Sequence, residues 1–598
     1  MIQLAKDILS ILSEEQRKKF YSLQLLVVFS AIAEVVSVAV VGPFMALASN
    51  ISIIETNRLI NKVYVISNAD TPTQFIIIIG ILVFIFLCIS TILSVITIRS
   101  LSFFAARTGA EIGDTLYSSY LKKDYLFYTK INSSELVKQI ATEVSRVTDN
   151  ILQPFVQINA RLLAVSFISI LIFLYDPIIS LSGLLVFVFV YCILFIFVRK
   201  KLLINGVNIS KVSKKRFVLM NEGFGSIKDV IILNRQEDFV KQFKESGVVF
   251  SEAYGSSNTL YNVPRYIMEF IMYSGMVVLI ISLLYFSNGD MTKTISTLAV
   301  FGVAAFKLLP SFQQIYSSLA QIRSNLSALS EIKRDVIEAR KQNRHIDSKN
   351  SRVEYGNNDL FLENISFKYP GKKTNTINEI NINIPRQGIV GLVGSSGAGK
   401  STLLDILLGL LKPSSGSFIC GNNEVDFDNI KQWQKRIGYV PQSIFLKDGN
   451  IIENIAFGLP ENQIDMEKIN RAIDLAQLND WIQGLPNGVH TEIGEKGVQI
   501  SGGQKQRIGI ARALYSDIDY LFFDEATSAL DGKTEALIMN AIEKLSESKT
   551  IVMIAHRLNT VKNCDIIYML DHGSVIDSGN FNYLIQNNSK FREMAGED

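Results

Sequence analysis

"GIVGLVGSSGAGKSTLLDILLGL", residues 388–410, opens as an apolar strand, bends through Gly394, Gly397 and Gly399, and continues as a helix with an apolar face. The spacing G-x-x-x-x-G-K-[ST] in that strand-to-helix context predicts a phosphate cradle. Glycines let the backbone N–H groups of Gly394, Ser395, Ser396, Gly397, Ala398 and Gly399 close around phosphate oxygens, and the helix N-terminus adds the positive end of its dipole. Lys400 is placed to reach the β and γ phosphates, Ser401 to ligate Mg²⁺, and Thr402 follows them into the site. The surrounding residues, from about 351 onward, alternate strand-like runs with helices, the pattern of an α/β domain.

Two further stretches belong with the cradle. "YLFFDEATSALD", 520–531, is a buried-strand run ending in two carboxylates, which predicts Asp524 and Glu525 at the C-terminal edge of a strand. Asp524 suits Mg²⁺, usually through water, and Glu525 suits orienting and deprotonating an attacking water. Two acids capping a turn is the alternative. "ISGGQKQR", 500–507, offers Ser501, Gly502, Gly503 and Gln504 at a helix start, with no lysine at the spacing of a second cradle.

These motifs together resemble the ATP-binding cassette family. The resemblance implies ATP and Mg²⁺ as cofactors, and two nucleotide domains facing head to tail, each ATP pinned between the cradle of one and the 501–504 stretch of the other. It assigns Tyr369 in "FKYP" to the adenine, Gln442 in "YVPQ" to Mg²⁺ and the γ-phosphate, Asp531 to the loop crossing the interface, and His556 in "IAHR" to the γ-phosphate. His345, His490 and His572 read as structural, and Ile500 stands where the family usually has leucine. "ENIAFG" (453–458) and "TEIGEKG" (491–497) are similar to exporter segments, the second being the loop that senses cytosolic helix tips. One cradle and one signature stretch per chain imply two chains, and intact motifs imply a homodimer with two hydrolytic sites.

The bulk composition places the other half in lipid. Of 598 residues, 48% are hydrophobic and 19% charged, with a mean hydropathy of +0.25, unusual for a soluble chain of this length. A net charge of +3 and a pI near 8.4 are too mild for a nucleic-acid binder. Cys88, Cys192, Cys420 and Cys564 have no metal-ligand spacing and read as buried thiols. Residues 1–20 carry charges throughout, so no removable signal peptide is expected, and Leu4, Ile8, Leu9 and Leu12 recur at helical spacing, which suits an interfacial elbow helix. Six apolar runs, near 23–48, 75–98, 155–175, 178–198, 266–286 and 296–315, are long enough to span a bilayer. Asp176-Pro177 breaks the third from the fourth. Lys6, Arg17, Lys18, Lys19, Arg199, Lys200 and Lys201 put both termini in the cytosol, against Lys293 outside. The cytosolic connections, about 99–154 and 199–264, are amphipathic, which predicts membrane helices continuing into the cytosol. The predicted organisation is an elbow (1–20), a six-helix membrane domain of type I exporter fold (21–320), a linker (321–350) and a nucleotide-binding domain (351–598).

Ionisable residues inside these runs point to cargo. Arg265 and Glu269 in "NVPRYIMEF", Lys307 in "FKLLPS", Arg161 and Glu34 sit where charge costs about 2.5–3.5 kcal/mol at mid-bilayer, so they face a cavity or a partner. Arg265 also suits a snorkelling anchor, and Glu34 and Glu269 are candidate partners for the cations. Basic side chains suit an anionic amphiphile. "VPRYIMEF", "FKLLPS" and "GPFMALASNISIIETNRLINKVYVI" (42–66) are similar to the flippases of lipid-linked oligosaccharides. That resemblance implies a polyprenyl-pyrophosphate glycan as substrate and a short external helix, residues 51–66, with an apolar stripe of Leu59, Ile60, Val63 and Ile66. Two positions depart from that resemblance: Lys307 stands where a related sequence can have arginine, and Gln314 where a further basic residue is expected. A lipid A, phospholipid or multidrug exporter is the alternative, and an ATP-gated channel a third reading.

Overall fold

The computed structural model describes residues 2–49, 51, 54, 58–67, 69–286, 291–345, 355–356, 358–494, 497, 500–525, 532–555 and 558–595. The chain divides into two compact units, 1–123 with 127–347, and 124–126 with 348–598.

The first unit is helical. A short helix α1 (Ile2–Ile11) precedes α2 (Glu14–Ser49), α3 (Arg58–Ile66) and α4 (Pro72–Leu121). After α5 (Ser133–Lys138) come α6 (Gln153–Tyr175), α7 (Pro177–Gly225), α8 (Gln236–Phe286) and α9 (Met291–His345). Local chemistry sets the starts. Thr71 accepts from the Gln74 N–H ahead of Pro72, and Asp176 accepts from the N–H groups of Ile178 and Ile179 ahead of Pro177. Asp176-Pro177 therefore makes the expected hairpin between α6 and α7. At 1.5 Å per residue, the 50 residues of α4 extend roughly 75 Å, well beyond a hydrocarbon core of about 30 Å.

Among the described residues, five helices are long and apolar enough to cross a membrane. The run at 296–315 lies in α9, which is not among the five. Large apolar side chains point outward along these helices, with Phe84 66% and Phe197 77% exposed. Such a surface is stable only where hydrocarbon replaces water. Cys88 and Cys192 lie on it and are exposed, contrary to the expectation of four buried thiols, because apolar helix faces turn toward lipid; Cys420 and Cys564 are buried.

Smaller core clusters lie within the spans, and the main one extends beyond them. Ile8, Ile11 and Leu12 pack with Leu101, Ile112 and Leu116 of α4 and with Ile322, Leu329 and Val336 of α9. The apolar face of α1 is thus covered by protein, and the helix closes at Ile11, well before residue 20. Much of the expected 321–350 linker is likewise core-forming helix, since α9 runs to His345. Between α5 and α6, π-helical turns at Gln139–Glu143 and Thr148–Leu152 turn Glu143 fully inward. There Lys138 Nζ and Arg146 Nη1 approach it at 3.0 and 2.9 Å. Arg146 also donates to Asn325 Oδ1 at 3.1 Å and Ser210 Oγ at 2.6 Å, tying α7 to α9. At Gly206 the two helices touch: a Cβ there would stand 1.7 Å from the Ser324 carbonyl oxygen.

The second unit holds two sheets. One is antiparallel, in the order β2 (Ile377–Ile384), β1 (Leu360–Phe367), β4 (Ser415–Cys420), β5 (Asn423–Glu424). The other runs β10 (Ser574–Gly579), β9 (Ile566–Asp571), β3 (Gly388–Gly394), β8 (Thr550–Ile554), β7 (Tyr520–Asp524), β6 (Ile437–Val440), parallel except for β10. β3, β7 and β8 are buried along almost their whole length, as parallel strands covered on both faces must be. Register then places the site, because Leu392 pairs with Ile554 and Ile554 with Asp524. The loop after β3 and the acids after β7 share one sheet edge, two strand spacings or roughly 10 Å apart.

Candidate nucleotide site

Backbone conformation builds the cradle. Gly394, Gly397 and Gly399 have φ of 151°, 82° and 103°, where L side chains are strained. At Gly394 a Cβ would also lie 2.2 Å from the Leu570 carbonyl oxygen. The loop delivers α10 (Lys400–Leu407), whose Leu403, Leu404, Ile406 and Leu407 are buried in the core. Lys400 is nearly enclosed and donates from Nζ to the carbonyls of Gly394 and Ser395 at 2.7 and 3.0 Å. Burial lowers its pKa, while Glu525 and then Asp524 pull it upward.

Glu525 follows β7 with φ 50°, a left-handed conformation uncommon for a non-glycine residue and typical of strained functional positions. Its carboxylate accepts from Gln442 Nε2 at 2.7 Å, so these two predicted residues meet. Tyr369 Oη lies 3.4 Å from Thr402 Oγ1, with Lys372 Nζ 5.3 Å from its ring centroid, which puts an aromatic surface beside the cradle. Asp531 and His556 lie outside the described residues.

Sequence reading missed two neighbours. Asp405, on α10, has its carboxyl pushed up to about 6, first by burial and then by Asp524. Tyr439, on β6, is raised by burial and by the same carboxylate. A lone acid inside the apolar run "TLLDILL" was the visible signal for Asp405. Glu525 and Asp524 both act on the Lys400 ammonium, and Asp524 acts also on the Asp405 carboxyl, so acidic groups gather at this sheet edge. Ser401 and Asp524 present the oxygen donors that Mg²⁺ prefers, with phosphates supplying the rest. Among the described residues no cluster of three or more His, Cys, Asp or Glu forms a complete metal cage, and a phosphate-borne Mg²⁺ does not need one.

The 501–504 stretch stands apart from this arrangement. Ser501 caps helix α11 (Gly502–Leu514) in a reciprocal box: its N–H donates to Gln504 Oε1 at 2.8 Å, and the Gln504 N–H donates to Ser501 Oγ at 3.2 Å. α11 packs on β6, three strands from β3, and Ser501 and Gly502 face outward at its start. The cradle and the signature of one chain are therefore on different strands of the sheet.

In the first unit the membrane charges are paired. Glu34 lies between Arg161 Nη1 at 3.7 Å and Lys307 Nζ at 3.9 Å, bringing α2, α6 and α9 together. Arg265 is separate, donating from Nε to Glu269 Oε1 at 2.6 Å within α8. Gln314 donates to Gln157 Oε1 at 2.8 Å. On α3, Ile60 packs toward Leu47 and Phe75 while Val63 and Ile66 stay exposed; the Leu59 side chain and most of 51–57 lie outside the described residues.

Comparison with known proteins agrees with this architecture. Residues 27–304 match the ABC transporter transmembrane region, and residues 377–528 match the ABC transporter family model. An "ATP-dependent lipid A-core flippase" of Cupriavidus pinatubonensis is 36% identical over 241 residues, 40% of this chain and 41% of that protein. "Leukotoxin translocation ATP-binding protein LktB" of a Pasteurella haemolytica-like species is 39% identical over 231 residues, 39% of this chain and 32% of that protein. The match thus spans about two fifths of the flippase's length and less of the leukotoxin protein's. A solved structure described as a bacterial Atm1-family ABC exporter with ATP bound superposes with a TM-score of 0.79, covering 97% of this chain and 98% of that one at 19% identity, which shows a shared exporter fold. The chain belongs to the ABC transporters, carrying both their transmembrane region and their ATP-binding domain.

Proposed function

We propose that the chain is one half of an ATP-driven flippase that moves an anionic amphiphilic lipid, a polyprenyl-pyrophosphate oligosaccharide, across a bacterial inner membrane. The observation that carries the cargo is the cluster on α2, α6 and α9, where Arg161 and Lys307 share the one carboxylate of Glu34. That leaves one positive charge in excess in a low-dielectric region, a partner for a phosphate group. The exposed Val63 and Ile66 of α3 offer an apolar contact for a lipid tail.

In the nucleotide site, Lys400 and the glycine loop hold the β and γ phosphates, and Tyr369 faces the adenine. Ser401, Asp524 and Gln442 would hold Mg²⁺, which neutralises phosphate charge when bound. Glu525 orients the attacking water and takes its proton, with Gln442 fixing the carboxylate and His556 approaching the γ-phosphate. Because cradle and signature do not meet within one chain, Ser501, Gly502, Gly503 and Gln504 of a second copy complete each site, together with Asp531. ATP then favours the closed pair by its differential affinity, and hydrolysis removes that preference.

A lipid A class of cargo is a second reading, favoured by the similarity to the lipid A-core flippase of Cupriavidus pinatubonensis. The test is reconstitution into liposomes with a fluorescent polyprenyl-pyrophosphate oligosaccharide. Transfer should require ATP and fall in the Arg161→Gln/Lys307→Gln variant more than basal hydrolysis does. Brisk hydrolysis without transfer, or transfer blocked by lipid A competitors only, would remove the oligosaccharide.

A further inference from the structure

A second basic site lies away from the Glu34 cluster, where the first two spans end near Leu23 and Ile96. The start of α2 and the middle of α4 enclose a cavity of about 590 Å³, lined by Lys19, Arg99 and Arg107 with Glu111 as its one acid. Lys19 stands about one helical turn before the apolar run at 23–48, and Arg99 follows directly on the run at 75–98. Leu23 and Ile96 line the same cavity on the membrane side, so it passes from an apolar wall to a cationic one where the spans end. Residues 99, 103 and 107 recur every four positions along α4, which sets both arginines and Phe103 on one face. Arg99 lies 5.7 Å from the Phe103 ring, which steadies it without neutralising it. Glu111 is engaged by Gln16, and no described ion pair joins Lys19, Arg99 or Arg107 to a carboxylate.

We propose that this cavity binds the phosphate headgroup of an anionic phospholipid from the cytosolic leaflet, with Lys19 and Arg99 on the phosphate and one acyl chain against Leu23 and Ile96. The site is distinct from the cargo cluster and does not depend on the identity of the cargo. Three cations against one acid make it selective for anionic over zwitterionic lipid, and the apolar wall makes it selective for lipid over free phosphate. Arg107, deeper in the cytosolic extension, meets the distal part of the headgroup.

The full chain, purified in detergent and titrated with phosphatidylglycerol or phosphatidylcholine, tests this by native mass spectrometry. Phosphatidylglycerol should be retained preferentially. Each cation near a membrane surface is worth roughly fivefold in anionic-lipid affinity, so Lys19→Gln/Arg99→Gln should weaken retention by about 25-fold. Lys19→Arg/Arg99→Lys should keep most of it, and Arg235→Gln, in an exposed pair with Asp238, should change nothing. Equal retention by wild type and the double Gln variant overturns the site, as does equal affinity for the two lipids. Displacement of the lipid by millimolar inorganic phosphate would overturn the lipid assignment in favour of a soluble phosphate.

Discussion

The two units hold their charges in opposite ways. In the first, two carboxylates each sit between two cations, Glu34 between Arg161 and Lys307 and the buried Glu143 between Lys138 and Arg146, with Lys138 also paired to Glu331. In the second, Glu525 and Asp524 both act on the one cradle lysine, Asp524 acts in turn on a third carboxyl at Asp405, and Glu525 is held in a left-handed backbone conformation. A charge buried in a helical bundle costs several kcal/mol unless compensated, so both of these carboxylates have cations beside them, with one cation in excess at Glu34. The second gathers acidic groups beside the cradle lysine, an arrangement that suits a metal-bound nucleotide.

That contrast can be broken from either side. The largest effect is expected at the strained acid: Glu525→Gln should lower ATP hydrolysis by about 10²–10⁴-fold while ATP binding persists, measured by phosphate release beside nucleotide titration. Sustained hydrolysis would mean another group takes the proton. Removing Glu143 tests the compensated unit. Glu143→Ala leaves Arg146 buried without its carboxylate, while Lys138 keeps Glu331, and should destabilise the first unit by roughly 3–5 kcal/mol, read as an earlier thermal unfolding step. An unchanged transition would show that the network carries no stability.

A smaller effect with a definite sign belongs to Asp405, whose carboxyl rises from an ordinary value near 3.8 to about 6 through burial and Asp524. A pKa raised on folding favours the folded state below the unfolded value, and that benefit is lost as pH rises through the folded one. Asp405→Asn should therefore stabilise the nucleotide unit above pH 6 and have little effect near pH 4. The gain is roughly 1–2 kcal/mol after discounting for partial exposure. A pH-independent difference would locate its effect elsewhere. Smallest of all, Arg265→Ala removes a pair one turn apart whose arginine is exposed, and should leave the thermal transition almost unchanged; a clear fall would show that the pair carries stability.

Much of the nucleotide site was legible because its parts are local. The cradle is a contiguous run of residues, and a buried strand ending in Asp524 and Glu525 could only open at a sheet edge. The Asp176-Pro177 hairpin was legible for the same reason, a cap and a fixed φ side by side. Long-range features were not. Glu34, Arg161 and Lys307 are far apart in sequence, and only the packing of α2, α6 and α9 shows that one carboxylate serves two cations. The left-handed φ of Glu525, the π-helical turns around Val144–Val147 and the close approach at Gly206 follow from tertiary context that no residue pattern encodes. The face of α1 misled in another way: an apolar stripe reports burial without naming the neighbour, and here the neighbour is protein.

The most direct test of the account joins two inactive chains. Lys400→Ala removes the cradle lysine and leaves the signature, whereas Ser501→Arg obstructs the signature and leaves the cradle. If each nucleotide site takes its cradle from one copy and its 501–504 stretch from another, co-expression of the two variants should restore ATP hydrolysis that neither shows alone, because the mixed pair contains one intact site. A mixture as inactive as its components would contradict the account and place the complete site within a single chain.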